Sequence, residues 1–306
     1  MKIFYSDTFV LPLPPEHRFP MAKYSLLRQR LAADPEFQSC SFLVPKPASD
    51  RALKRVHSEA YIEQLKTGQL PRAIERRIGF PWSPQMVERS RRSVGATMSA
   101  AYAALQEGVA VNLAGGTHHA FRDTGGGYCV LNDTVVAARW VLDKGWAERI
   151  LVVDLDVHQG DGTAALCAED DRIFTLSIHG DRNYPARKQQ SDMDIALADE
   201  SDDHAYMRTL QQVLPQAIER SQATLAFFLA GADPYVDDRL GRLSLTKTGL
   251  KARDEYVLGQ LADADISVAV AMAGGYAERI EDIVDIHATT VALALQTHQR
   301  LAKTGA

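Results

Sequence analysis

The stretch from Ile150 to Thr163 constrains this chain most. A run of branched apolar residues, Ile150 to Val153, breaks abruptly into Asp154, Asp156 and His158. Strands buried on both faces read as such continuous runs, and open α/β sheets place their ligands beyond the carboxyl ends of the strands. Asp154 and Asp156 lie two positions apart, so they share one face of the strand. His158 follows as the chain leaves the sheet. Two carboxylates and an imidazole converging at a strand end suit a metal ion with an open position for water or substrate.

The rest of the chain repeats the theme. Apolar β-type runs at 2–5, 41–44, 109–113, 150–155, 173–178, 225–229 and 267–272 alternate with helical patterns. That alternation predicts an α/β fold with a mainly parallel sheet. Helix ends are legible in places. Ser83-Pro84 supplies an N-cap and a first-turn proline, and Gly108 closes that helix. Ser58 caps a helix ending near Gly68, and Asn132 or Asp133 caps one that Gly145 closes. Further helices fit 203–219, 248–262 and 279–299. Two segments, 12–20 and 182–203, read as long irregular insertions, a common home for function. No repeat or linker divides the chain, so residues 1–306 are expected to form one domain.

Composition excludes several classes of function. A net charge of −5 gives no electrostatic footprint for nucleic acid. No apolar run approaches the ~20 residues of a membrane span. Met1 to Tyr5 reads as a strand with no signal peptide behind it. Cys40, Cys129 and Cys167 are few, odd in number and widely spaced, which reads as free thiols in a reducing cytoplasm. Cys129, beside a glycine-rich loop, is better explained as a small buried residue than as a reactive one.

Every chemically loaded loop begins where a predicted strand ends. Gly115-Gly116-Thr117-His118-His119 follows the strand at 109–113. Gly231-Ala232-Asp233 follows 225–229, and Gly274-Gly275-Tyr276 follows 267–272. Asp156 and His158 are the obvious metal ligands, and Asp233 is the best third. Asp154 sits deeper and suits a partner that orients a ligand. Helix capping competes for each aspartate alone but explains the joint pattern poorly. The adjacent His118 and His119 can present two imidazoles to one site, with Asp154 and Asp161 as available partners. Gly125-Gly126-Gly127-Tyr128 lacks the spacing and lysine of a phosphate loop, so nucleotide binding is rejected. Its glycines admit a close ligand, and Tyr128 can wall a slot. Tyr276 places a phenol where it can donate to a developing oxyanion.

Together these loops resemble the zinc-dependent histone deacetylase family, of the three-layer α/β/α arginase/deacetylase fold. The motifs are Gly-Gly-Thr-His-His (115–119), Gly-Gly-Gly-Tyr-Cys-Val-Leu-Asn-Asp (125–133), Asp-Leu-Asp-Val-His-Gln-Gly-Asp-Gly (154–162), Gly-Ala-Asp (231–233) and Gly-Gly-Tyr (274–276). Gln159 stands where many members carry a second histidine. With Asn183-Tyr184-Pro185 and the segment 238–245, it is similar to the class IV branch and its bacterial relatives. The resemblance implies one Zn2+ on Asp156, His158 and Asp233. It implies His119 as general base and acid oriented by Asp161, His118 paired with Asp154, and Tyr276 as oxyanion donor. Gly127, Tyr128 and Tyr184 then line an acyl-lysine tunnel. Asp154 and Ser177 match ligands of a monovalent cation, K+, and His179 close by is then structural.

The implied activity is zinc-dependent hydrolysis of an N-acyl-lysine amide on a protein or peptide. Other readings stay open: a small-molecule amidohydrolase such as an acetylpolyamine deacetylase, an arginase-like ureohydrolase, or a catalytically silent acyl-lysine binder. Gly160, where a further metal carboxylate would stand, argues against the ureohydrolase. Neither the acyl length nor the oligomeric state is written in the sequence.

Overall fold

A computed structural model describes residues 1–304 apart from Pro15. Gly305, Ala306 and Pro15, the last inside the 12–20 segment, lie outside the described residues. The strands are β1 (Lys2–Phe4), β2 (Ser41–Leu43), β3 (Val109–Asn112), β4 (Ile150–Asp154), β5 (Ile173–Gly180), β6 (Met193–Leu197), β7 (Leu225–Leu229) and β8 (Ser267–Ala271). The helices are α1 (Lys23–Ala33), α2 (Asp50–Leu53), α3 (Glu59–Thr67), α4 (Arg72–Ile78), α5 (Pro84–Glu107), α6 (Asp133–Asp143), α7 (Asp161–Cys167), α8 (Asp203–Ser221), α9 (Lys247–Asp263) and α10 (Ile280–Thr304).

The strands form one sheet in the order β2-β1-β3-β8-β7-β4-β5-β6, with every pairing parallel. Helices cover both faces, as an all-parallel sheet requires. Alternate residues of one strand feed two cores. Leu151 and Val153 of β4 pack with residues of α8, α9 and α10, whereas Ile150 and Val152 pack with residues of α5 and α6. Every residue of β3, β4 and β7 is buried. Each such Val, Leu or Ile contributes roughly 1.5–3 kcal/mol of apolar burial, and the resulting rigid floor carries the site.

Predicted caps are present. Ser83 accepts from the Met86 N–H, and Ser58 from that of Tyr61. Asn132, rather than Asp133, caps α6 by accepting from the Val135 N–H. Segment 182–203 departs from its expected irregularity, because it contains β6, an edge strand paired in register with β5. Met193-Asp194-Ile195-Ala196-Leu197 is only partly buried and has no apolar run to announce it. Its pairing is set from outside: the Gln159 amide donates to Asp194 Oδ1 and Gln189 O and accepts from Gln189 N. Helices α1, α4 and α7 also escape the sequence pattern. Each starts without a side-chain cap, so the usual punctuation is missing.

Candidate metal and catalytic centre

The four loaded loops leave four consecutive strands of the sheet, β3, β8, β7 and β4. That adjacency brings residues from 118 to 276 into one cavity of about 510 Å³, within the usual range for a small-molecule site.

Asp156, His158 and Asp233 are all buried, and their candidate ligand atoms lie within 4.8 Å of one another. His158 Nδ1 is 2.9 Å from Asp156 Oδ1 and 3.3 Å from Asp233 Oδ2. The remaining carboxylate oxygens are held by backbone. Gly274 N–H donates to Asp156 Oδ2 at 2.7 Å, and Val157 N–H donates to Asp233 Oδ1 at 2.9 Å. Asp233 Oδ2 is buried and, beyond its 3.3 Å ion-pair approach to His158 Nδ1, accepts no hydrogen bond of good geometry. A buried carboxylate oxygen left unmatched is costly unless a cation completes it. Burial and the Asp156 carboxylate push Asp233 up to about 7. Burial also acts against ionised Asp156, but the His118 and His158 imidazoles outweigh it and hold that group well below the carboxylate range. His158 is lifted to about 10, because the same two carboxylates outweigh its burial. Three buried groups repartition protons around a common point where two carboxylates and one imidazole fit a divalent ion such as zinc.

The histidines stand beside this group. His118 Nδ1 is 2.7 Å from Asp154 Oδ2, and His119 Nδ1 is 2.6 Å from Asp161 Oδ1. The two Nε2 atoms are 3.1 Å apart. Each ring is thus oriented by its own carboxylate, with its other nitrogen turned inward. Their environments differ. Burial opposes a charged His118, yet Asp154 and Asp156 outweigh it and raise His118 to about 9. Burial and the neighbouring His118 lower His119 to about 4 despite Asp161. The loop that presents them is fixed by Asp133, whose carboxylate accepts from the backbone N–H of Gly116 and Thr117.

Gly127, Tyr128 and Tyr184 all line the cavity, as does Tyr276. The Tyr184 ring packs edge-on against His119 with centroids 4.8 Å apart. Gly127 is at φ 50°, and a Cβ there would lie 2.5 Å from His119 Cδ2, so no larger residue fits without moving the imidazole. Burial and the nearby Asp156 and Asp233 push the Tyr276 phenol well above its ordinary range, keeping it a donor. The thiol of Cys129 is buried and also pushed well up, chiefly by burial, in keeping with a packing role. Asp154 and Ser177 sit directly across from each other in the β4–β5 register. Ser177 Oγ is 3.0 Å from His179 Nδ1, and His179 lies inside β5 rather than at its end.

Some supporting residues have no signal in the sequence. Lys23 is 2% exposed and donates to Gly275 O at 3.1 Å. Its ammonium lies 5.1–5.5 Å from the ring centroids of Phe19, Tyr24 and Tyr276. Asp238 accepts from the Tyr276 N–H at 2.6 Å. Arg253 is fully buried and donates to Leu155 O and Gly231 O, clasping the two loops that carry the candidate ligands. All three act on backbone brought together from distant parts of the chain.

Known proteins place this architecture. The model for the histone deacetylase domain matches residues 17–291. The chain belongs to the histone deacetylase family. An uncharacterised protein of a Picosynechococcus strain is 42% identical over 285 residues, covering 93% of this chain and 95% of that one. Histone deacetylase 2 of Arabidopsis thaliana is 27% identical over 288 residues, covering 90% of this chain and 74% of the plant protein. The crystal structure of the HDA15 HD domain shares the fold, with a TM-score of 0.79 over 99% of this chain and 95% of that one, at 18% identity. The parallel sheet with helices on both faces is therefore the arginase/deacetylase fold of a deacetylase-like hydrolase family. Among the described residues, no helix is long and apolar enough to cross a membrane.

Proposed function

We propose that this histone deacetylase family member hydrolyses the amide of N-acyl-lysine with zinc as its cofactor. The observation that carries this reading is the juxtaposition of two carboxylate-oriented histidines with the Asp156, His158 and Asp233 cluster at the floor of one cavity, which His118, His119, Asp156 and His158 line. When bound, zinc supplies Lewis-acid activation of water and of the acyl carbonyl. His119 takes the proton of the attacking water through Nε2, while Asp161 holds its Nδ1 and fixes the ring. His118, paired with Asp154 through Nδ1, supports proton delivery to the departing lysine nitrogen. Tyr276 donates its phenol to the developing oxyanion. Gly127, Tyr128 and Tyr184 flank the acyl-lysine stem, and the two tyrosine rings exclude water.

Gln159 and the Asn183-Tyr184-Pro185 segment favour the class IV branch. A K+ ion at Asp154 and Ser177 would serve as a structural ion, and a cytoplasmic setting suits the three free thiols. A catalytically silent acyl-lysine binder needs no pair of carboxylate-oriented histidines at a metal cluster.

The test is a panel of fluorogenic acyl-lysine peptides, from acetyl through trifluoroacetyl to long-chain acyl, with zinc-loaded and chelator-treated protein. Zinc-dependent turnover is expected, and the preferred acyl length sizes the cavity. Metal-loaded protein that cleaves no acyl-lysine overturns the reading and turns attention to small amides or a binding role.

A further inference from the structure

The cavity mouth carries a charge pattern opposite to that of the chain as a whole. The chain is net acidic at −5, yet Arg76, Arg77, Arg182 and Arg242 all line the catalytic cavity and all are exposed. Asp156, in the metal cluster, is the one carboxylate among the described lining residues. The arginines come from three separate segments: the last turn of α4, the β5–β6 connection and the β7–α9 connection. Their placement is built rather than incidental. The tunnel residues Gly127 and Tyr128 donate backbone N–H groups to Arg77 O and Ile78 O, which ties the end of α4 to the tunnel wall. Arg77 also stacks over Phe121 at 5.0 Å. Arg182 and Arg242 share a single carboxylate, Asp199, at 3.8 and 3.2 Å. Arg76 and Arg77 make no carboxylate ion pair among the described residues.

Exposed guanidinium groups around a low-dielectric cleft focus a positive potential on its entrance and match carboxylates in bidentate geometry. Such a rim opposes a polyamine or a lysine embedded among other lysines and arginines.

We infer that the acyl-lysine substrate is presented on an acidic peptide segment, whose aspartates or glutamates flank the modified lysine and are held by this arginine rim. The inference rests on the acyl-lysine hydrolase reading above. It adds that context selectivity comes from α4 and the two long connections rather than from the metal centre.

Three peptides with the same central acyl-lysine test it, flanked by Asp/Glu, by Ser/Gly or by Lys/Arg, with the intact zinc-loaded protein. At low ionic strength kcat/KM is expected to favour the acidic over the basic peptide by on the order of tenfold, shrinking in ~0.5 M salt as surface charges are screened. The double variant Arg76→Glu with Arg182→Glu should reverse the order, and Arg76→Gln with Arg182→Gln should bring the ratio near one. Equal kcat/KM for the three peptides, or a preference that survives the double Glu variant, overturns the acidic-segment inference while leaving the hydrolase reading intact. Zinc-loaded protein that cleaves none of them, the neutral peptide included, overturns the hydrolase reading and this inference with it.

Discussion

The backbone N–H of Gly274 donates to Asp156 Oδ2 at 2.7 Å, and this contact leaves no room for a side chain. A Cβ on Gly274 would lie 1.9 Å from Asp233 Oδ2 and 2.6 Å from Asp156 Oδ2. The β8 loop therefore closes over two proposed metal ligands through bare backbone. Gly274→Ala must displace that loop or a carboxylate. The purified variant is expected to hold far less than one zinc per chain by elemental analysis, with a lowered Tm. Full metal occupancy would show that the carboxylates do not meet the ion where they stand.

Asp161 and His119 form the hydrogen bond on which the proposed proton transfer depends. Asp161→Asn replaces an acceptor with an amide that can hold the wrong tautomer. We expect kcat to fall by ~10²–10⁴ while zinc content stays unchanged. Wild-type kcat in this variant would remove His119 from the role of base.

Tyr276→Phe deletes one hydroxyl and leaves the ring and the Asp238 contact to the backbone N–H in place. A loss of ~10²–10³ in kcat is the expected cost of an oxyanion donor. Unchanged turnover would assign Tyr276 to packing alone.

Arg253 and Asp254 form a fully buried ion pair at 2.8 Å, completed by a hydrogen bond from Thr290 to Asp254. Arg253→Met strands the Asp254 charge and frees Leu155 O and Gly231 O. Removing one partner of a buried pair costs about 3–5 kcal/mol, so denaturant unfolding should show a large drop in stability. A loss under about 1 kcal/mol would mean that the clasp contributes little.

His57 gives a pH signature remote from the candidate metal cluster. It donates from Nδ1 to Phe121 O and accepts from Asn132 N–H at Nε2, so the folded state requires it neutral. Burial lowers it to about 4 against the opposing pull of the Phe121 carbonyl. The unfolded chain takes up this proton first, near pH 6.5. Stability from neutral His57 is complete above that pH and falls as pH drops through about 4, by an amount on the order of 3 kcal/mol. His57→Gln, which can keep both contacts, should flatten the fall in Tm between pH 7 and pH 4.5. An unaltered pH slope would locate the acid sensitivity elsewhere.

Legibility in the sequence followed burial and local punctuation. Ile150 to Val153 and Leu225 to Leu229 announce strands because both faces are covered, and Ser83, Ser58 and Gly108 mark helix ends by local hydrogen bonding and φ. Helix α1, entered without a side-chain cap, gave no such mark, although it delivers Lys23 to the Tyr276 loop. Edge strand β6 was hidden for a related reason, since half-exposed residues need no apolar run and Gln159 sets its pairing from another loop.

By itself the sequence determined the chemistry on offer: which strands end in aspartate, histidine or tyrosine, and which glycines allow close approach. Those are properties of single loops, fixed by residue type and spacing. Only the tertiary structure decided that β3, β8, β7 and β4 stand side by side, that Lys23, Asp238 and Arg253 hold the backbone of these loops, and that four arginines from three segments ring one cavity. Strand order and long-range pairing come from the packing of two cores against opposite faces of one twisted sheet. That packing depends on the sum of many distant apolar contacts rather than on any local pattern.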